Sequence, residues 1–183
     1  AERVYAPWQD MEDLMKEEEI PLYTLESYHE IKDFDILGFT LQYEMSYTNI
    51  LNMLDLSGLS IYAAERKEED PLIIAGGSTV FNSEPIADFI DLFFVGEAES
   101  LIIELLNEYK ILKAEGLTKS EILKKLNKMP GIYVPSLYSE EYGENGEILA
   151  LNSAAGEKER VKKHIVQNLD QAFYPTDFIV PYR

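Results

Sequence analysis

The chain has 183 residues and a formal charge of −18 at pH 7, from 34 acidic and 16 basic residues. Phosphate groups repel so acidic a surface, so we expect this segment to bind neither nucleic acid nor an anionic membrane. Cysteine is absent, which excludes disulfides, thiolate zinc sites and cysteine-ligated clusters within the segment, and the two histidines, His29 and His164, lie in no metal-ligand spacing.

The first part of the chain alternates short apolar runs with helical patterns. In chain order, the pattern predicts a short strand over residues 4–6, a helix from about residue 10 that stops before the acidic run 17–19, an edge-like strand over 20–25 and a central strand over 35–41. A helix with Ile50 and Leu54 on its apolar face follows, and Gly58 ends it. Residues 66–70 are predicted to form a charged surface loop.

Buried strands are predicted over residues 72–75 and 92–95, and the clearest helix of the chain over about 99–114. Thr118 and Glu121 have the spacing of a capping box, which predicts another helix through residue 126. Beyond Gly131 the pattern changes. Apolar segments flank Asn145–Gly146, a strong hairpin pattern, and residues 160–166 are a weak candidate for a third antiparallel strand.

The alternation of strands and helices up to residue 130 predicts an α/β fold with a doubly wound, Rossmann- or flavodoxin-like parallel sheet. We therefore predict three parts: an α/β domain over residues 1–130, a small antiparallel β appendage over 131–170 and a linker over 171–183. The proline spacing after residue 174 is typical of a linker or an extended arm.

The most informative positions follow the buried strands, where each apolar run ends in glycine or a small polar residue. Ligands of open α/β sheets bind outside the carboxyl ends of the strands, so these residues should share one rim. The predicted cofactor-binding residues are Thr40, Gln42, Gly76, Gly77, Ser78, Gly96 and Glu97. Each also has a structural explanation, because glycine suits tight turns and acidic residues suit a helix N-terminus. The pattern predicts no catalytic residue and no metal ligand set.

Several segments resemble one group of uncharacterised radical SAM proteins that carry an N-terminal cobalamin-binding-like domain. These segments are residues 33–49, 74–77, 84–91 and 95–99, with further likeness at 2–8, 21–26 and 131–135. The resemblance implies that the chain corresponds to that N-terminal domain alone, with a first strand and helix missing before Ala1. It also implies that the linker leads to an absent barrel, in which a CxxxCxxC loop binds a [4Fe–4S] cluster and S-adenosylmethionine is bound.

The resemblance makes cobalamin a possible cofactor and the protein's own radical SAM domain the expected partner. Small residues at Gly38–Thr40 and Gly76–Gly77 would let a nucleotide tail approach the backbone. The DxHxxG motif that supplies the lower cobalt ligand in cobalamin domains has no counterpart in this chain, and Ser78 stands where similar sequences often have proline.

Two functions therefore stay open. One is a non-catalytic accessory domain whose rim is an open crevice. The other is a degenerate scaffold that binds no cofactor and serves as a protein-interaction or homodimer module, its crevice filled by Phe39, Phe81 and Tyr43. A flavin or nucleotide binder is disfavoured, because no GxGxxG or phosphate loop occurs. The lack of cysteine and of a signal-peptide pattern predicts a cytoplasmic location.

Overall fold

Three parallel strands form the centre of the fold. The computed structural model describes residues 1–154, 156–172 and 176. Strands β1 (Ile36–Thr40), β2 (Leu72–Gly76) and β3 (Leu92–Phe94) run parallel, and β4 (Ile132–Tyr133) pairs antiparallel with β3, so that the sheet order is β1-β2-β3-β4. A second sheet pairs β5 (Tyr138–Tyr142) with β6 (Ile148–Ser153) in antiparallel fashion. The α/β class, the mostly parallel sheet and the small antiparallel sheet are confirmed.

Four α-helices accompany the strands among the described residues. They are α1 (Gln9–Glu17), α2 (Tyr47–Leu56), α3 (Leu101–Ala114) and α4 (Lys119–Leu126). The predicted capping box at the start of α4 is confirmed, because the Thr118 hydroxyl accepts the Glu121 N–H and the Glu121 carboxylate accepts the Thr118 N–H. Short 3₁₀ turns connect the elements at Ile31–Asp33, Glu44–Ser46, Ala63–Glu65, Ser78–Asn82, Glu84–Phe89, Pro135–Leu137 and Leu169–Gln171.

Both faces of the four-stranded sheet are buried, because successive strand residues point to opposite sides. On one face, Ile73, Ala75 and Phe93 pack with the buried residues of α1 and α2. On the other face, Leu72, Ile74, Leu92 and Phe94 pack with those of α3 and α4. Burial on both faces explains why the strand sequences are continuous apolar runs rather than alternating ones. No helix among the described residues is both long enough and apolar enough to cross a membrane.

Several sequence predictions are wrong at the periphery of the fold. The strand over 35–41 is an edge strand, since neither residues 4–6 nor residues 20–25 add to the sheet. Residues 20–25 contribute a single bridge, between Tyr23 and Glu30. Residues 160–166 form a parallel bridge from His164 to Gly96 instead of a third antiparallel strand. The predicted linker over 171–183 lies almost entirely outside the described residues.

The predicted surface loop at residues 66–70 conceals a buried ion pair. The side chains of Arg66 and Asp91 are 0% and 4% exposed, and Nη1 of Arg66 lies 3.1 Å from Oδ2 of Asp91. The same carboxylate oxygen accepts the N–H of Ile73 at 2.7 Å, and Arg66 Nη2 donates to the carbonyl oxygens of Ile61 and Phe89. Burial raises the pKa of the Asp91 carboxyl, and the charge of Arg66 counteracts that rise. The pair thus joins the start of β2 to the start of β3.

Replacing Asp91 tests how strongly the fold depends on this pair. We expect Asp91→Ala to lower the free energy of unfolding by about 3–5 kcal/mol, because it leaves the Arg66 charge buried without a counter-charge. The measurement is urea unfolding followed by circular dichroism. Asp88→Ala is the matched control, since Asp88 lies in the same region but is exposed, and it should change stability by less than about 0.5 kcal/mol. Equal effects of the two variants would contradict the assignment.

Candidate functional site

The predicted rim residues follow three neighbouring strands and lie at one end of the sheet. Thr40 ends β1 opposite Gly76, which ends β2, and Gly96 and Glu97 follow β3 closely. The loops after β1 and β2 are bonded to each other. The Leu41 N–H donates to the Gly76 carbonyl at 2.6 Å, and the Ser78 hydroxyl donates to the Gln42 carbonyl at 3.2 Å. The structure therefore brings the predicted residues of β1 and β2 into one pair of loops.

Gly77 is where these two loops cross. Its φ is +126°, a conformation that residues with a side chain rarely adopt. A Cβ atom at this position would overlap the Leu41 carbonyl oxygen and lie 2.8 Å from the Leu41 carbonyl carbon. The space that a glycine leaves open to a ligand is thus taken by the backbone of Leu41. Gly76 differs, because a Cβ there would make ordinary contact with Phe94 at 3.5 Å.

At the end of β3, a later part of the chain lies across the rim. We call residues 158–166 the strap. The His164 N–H donates to the Val95 carbonyl at 2.9 Å, and the Glu97 N–H donates to the His164 carbonyl at 3.0 Å. A Cβ at Gly96, whose φ is +111°, would lie 2.8 Å from the His164 nitrogen. Gly96 therefore admits the strap in the same way that Gly77 admits Leu41.

Side chains fix the strap at both ends. Oε2 of Glu97 accepts the Val166 N–H at 2.6 Å, and the His164 ring Nδ1 lies 2.7 Å from the Glu97 carbonyl oxygen, to which it donates. Lys158 Nζ donates to the carbonyl oxygens of Met129 and Ile132. Sequence analysis missed this role of His164, since the contact joins residues 67 positions apart and leaves no local pattern.

The outer surface of the two bonded loops is apolar. Tyr43, Met45 and Phe81 are 64%, 73% and 63% exposed. The degenerate-scaffold hypothesis predicts that Phe39, Phe81 and Tyr43 fill a crevice. Tyr43 and Phe81 are exposed instead, while Phe39 packs in part against the core. Thr40, Gln42 and Ser78 are also exposed. The arrangement offers large apolar side chains surrounded by hydrogen-bonding groups.

A pair of carboxyl groups lies beside β4, and no sequence pattern predicts it. Oε1 of Glu84 accepts the Tyr133 hydroxyl at 2.7 Å, whereas its Oε2 is buried and receives no N–H or O–H from the described residues. Burial raises the pKa of Glu84, and a hydrogen bond with Glu140 raises it further and lowers the pKa of Glu140. Of these two neighbouring carboxyl groups, Glu84 is therefore the one that holds a proton more readily.

The groups around the rim show no arrangement for metal binding. In the part of the chain that the structure describes, no three His, Asp or Glu side chains come together to hold an ion. Any function of the rim therefore depends on the loops and the strap. The seven predicted cofactor-binding residues stay a prediction.

Comparison with known proteins places most of the chain in one family. The family described as "Radical SAM proteins, N-terminal" matches residues 1–135. An uncharacterized protein of Methanocaldococcus jannaschii is 34% identical over 125 residues, which cover 67% of this chain and 26% of that protein. The chain thus spans about a quarter of the length of this curated relative. No solved structure matches the chain.

Two adjacent glycines allow the role of the loop crossing to be tested. We expect Gly77→Ala to lower the free energy of unfolding by about 2–4 kcal/mol, because it combines an unfavourable φ with a clash against the Leu41 backbone. Gly76→Ala is the matched control and should cost less than about 1 kcal/mol, because its Cβ has room. Urea unfolding of both variants is the measurement. If Gly77→Ala costs no more stability than Gly76→Ala, the Leu41 backbone does not contact Gly77 as described.

The raised pKa of Glu84 predicts a pH-dependent stability that Glu84→Gln removes. The folded-state pKa of Glu84 is raised, so its contribution is fully present below the unfolded value of about 4.3 and is lost as the pH rises through the folded pKa. Glutamine keeps the acceptor for Tyr133 and a donor for Glu140 at every pH. We expect Glu84→Gln to raise Tm by about 2–4 °C at pH 8 and by less at pH 4.

The control is Glu141→Gln, which alters the next residue of β5, an exposed position. It should give the same shift in Tm at pH 4 and at pH 8. If the difference in Tm between Glu84→Gln and the unmodified protein does not grow with pH, the pKa of Glu84 is not raised in the folded protein.

Proposed function

Because this chain belongs to the family of N-terminal regions of radical SAM proteins, we propose that it is an accessory domain that docks onto the radical SAM domain of its own protein through the rim of its sheet. In the full-length protein, the radical SAM domain would carry the [4Fe–4S] cluster and bind S-adenosylmethionine. This chain has no cysteine and cannot supply thiolate ligands to the cluster. Its role is to dock onto the radical SAM domain, which carries out the chemistry.

The exposed apolar side chains of the rim carry the proposal. Large exposed apolar groups that are surrounded by polar ones mark interaction surfaces, and aromatic residues often provide most of the binding energy there. Tyr43 and Phe81 project from two loops that are fixed to each other through Leu41 and Ser78. Such a rigid surface loses little conformational entropy on binding.

A second copy of the chain is a less suitable partner than the protein's own radical SAM domain. Each copy carries a formal charge of −18, and two such surfaces repel each other. A domain of the same chain is held nearby at high effective concentration, so a modest apolar contact is enough to keep it docked. The homodimer alternative therefore receives less support.

The space that cobalamin would need at Gly77 and Gly96 is not open. The resemblance implies that small residues at Gly76–Gly77 would admit the nucleotide tail of cobalamin. The Leu41 backbone fills the space at Gly77. The strap fills the corresponding space at Gly96. We interpret the fold as a Rossmann-like scaffold, with helices on both faces of three parallel strands.

Hydrogen exchange in the full-length protein tests the docking. We expect the combined change Tyr43→Ser and Phe81→Ser to speed amide exchange about tenfold at one surface of the radical SAM domain, because docking protects that surface and the apolar contacts are lost. Exchange in β1, β2 and β3 should stay the same, since neither side chain is buried.

The matched control is Leu149→Ser, which removes an equally exposed apolar side chain from β6, outside the rim. This variant should leave exchange in the radical SAM domain unchanged. If the rim variant and the control give the same exchange in that domain, docking through the rim is excluded.

A further inference from the structure

A cavity of about 450 Å³ lies where β3 begins, at the opposite end of the sheet from the rim. It is enclosed by the turn over 63–68, the turn before β3, the start of α4 and residues 135–140. Its volume falls in the range of small-molecule sites. The apolar part of its wall is formed by Ala63, Ala64, Ala87, Ile90, Leu123 and Leu137.

Residues of this chain already contact the groups of the wall that would attract an anion. The N–H of Lys119 at the start of α4 donates to Oε2 of Glu68 at 2.7 Å, so a carboxylate of this chain already occupies that helix end. The ammonium group of Lys119 donates to the Lys67 carbonyl at 2.7 Å. Asp91 is neutralised by Arg66. The wall carries the carboxyl groups of Glu68, Asp88, Asp91 and Glu140 and one ammonium group, that of Lys119, so its charge favours a cationic ligand over an anionic one.

Two carboxylates of the wall stay available. Asp88 and Glu140 form no ion pair with any residue that the structure describes, and both lie close enough to Glu84 to act on it electrostatically. The pKa of Glu140 is lowered by its interaction with Glu84, so the Glu140 side chain is a carboxylate at neutral pH. The ring of Tyr138 also lines the cavity, and an aromatic wall favours organic cations.

From this lining we propose that the cavity binds a small organic cation, a protonated amine with an apolar body, whose ammonium group contacts Asp88 and Glu140 while the body packs against the alanine and leucine side chains. Charge and shape both select this class. An inorganic cation would leave the apolar wall unused, and a neutral apolar molecule would make no use of the carboxylates. The site is separate from the rim and does not depend on its docking function.

The probe is 2-phenylethylammonium, and the matched anion is 3-phenylpropionate, which has the same ring and the opposite charge. Ligand-detected NMR titration of the protein should give saturable binding of the ammonium compound, with Kd on the order of 1 mM, and at least about tenfold weaker binding of the carboxylate. Circular dichroism verifies that each variant is folded.

Paired variants locate the site. Glu140→Gln should weaken binding of 2-phenylethylammonium about tenfold, whereas Glu141→Gln, at the next position of β5 and outside the cavity wall, should leave it unchanged. Ala64→Leu enlarges an exposed residue of the wall and should abolish binding. Ala114→Leu, at an equally exposed position away from the cavity, should not.

Three results would overturn the proposal. The first is the absence of saturable binding of 2-phenylethylammonium by the folded protein. The second is equal binding of 3-phenylpropionate, which would show that charge does not select the ligand. The third is binding that survives both Ala64→Leu and Glu140→Gln unchanged, which would place the probe elsewhere on the surface.

Discussion

The buried pair of Arg66 and Asp91 is the constraint on which the arrangement of the sheet depends. Its guanidinium donates to Asp91 and to three carbonyl oxygens, of Ser60, Ile61 and Phe89, while Asp91 also accepts the Ile73 N–H in β2. An apolar pair of similar shape could give equal stability. What an apolar pair cannot do is make directional bonds, and those bonds fix where β2 and β3 begin relative to each other.

The two ends of the sheet consequently have different chemistry. At the amino ends of β2 and β3 the ion pair is buried, and a cavity lined by apolar side chains and by the carboxylates of Asp88 and Glu140 lies beside it. At the carboxyl ends, the chain closes on itself, through Leu41 at Gly77 and through the strap at Gly96. The apolar groups that remain there, Tyr43 and Phe81, point outward. A small molecule is therefore better accommodated at the first end and a protein surface at the second.

Local patterns were sufficient to predict the strands β1, β2 and β3, the helix α3, the capping box of α4 and the hairpin around Asn145–Gly146. Each depends on residues close together in sequence. The ion pair, the strap and the edge position of β1 depend on contacts across 25 to 67 residues, and composition does not record them. The location of the rim could be predicted, because strand ends are recognisable in the sequence. The groups that fill the rim could not be predicted, since they depend on the path of residues 158–166.

Glycine at a strand end illustrates most clearly what cannot be predicted from the sequence. A glycine that admits a ligand and a glycine that admits the chain's own backbone need the same two properties, a positive φ and no Cβ. Gly77 and Gly96 have both properties and are filled by Leu41 and His164. Their sequence context suits either explanation, so only the neighbouring backbone distinguishes them. A glycine-rich rim in this sheet is thus better explained by close packing of the chain, and recognition is left to the side chains that this packing turns outward.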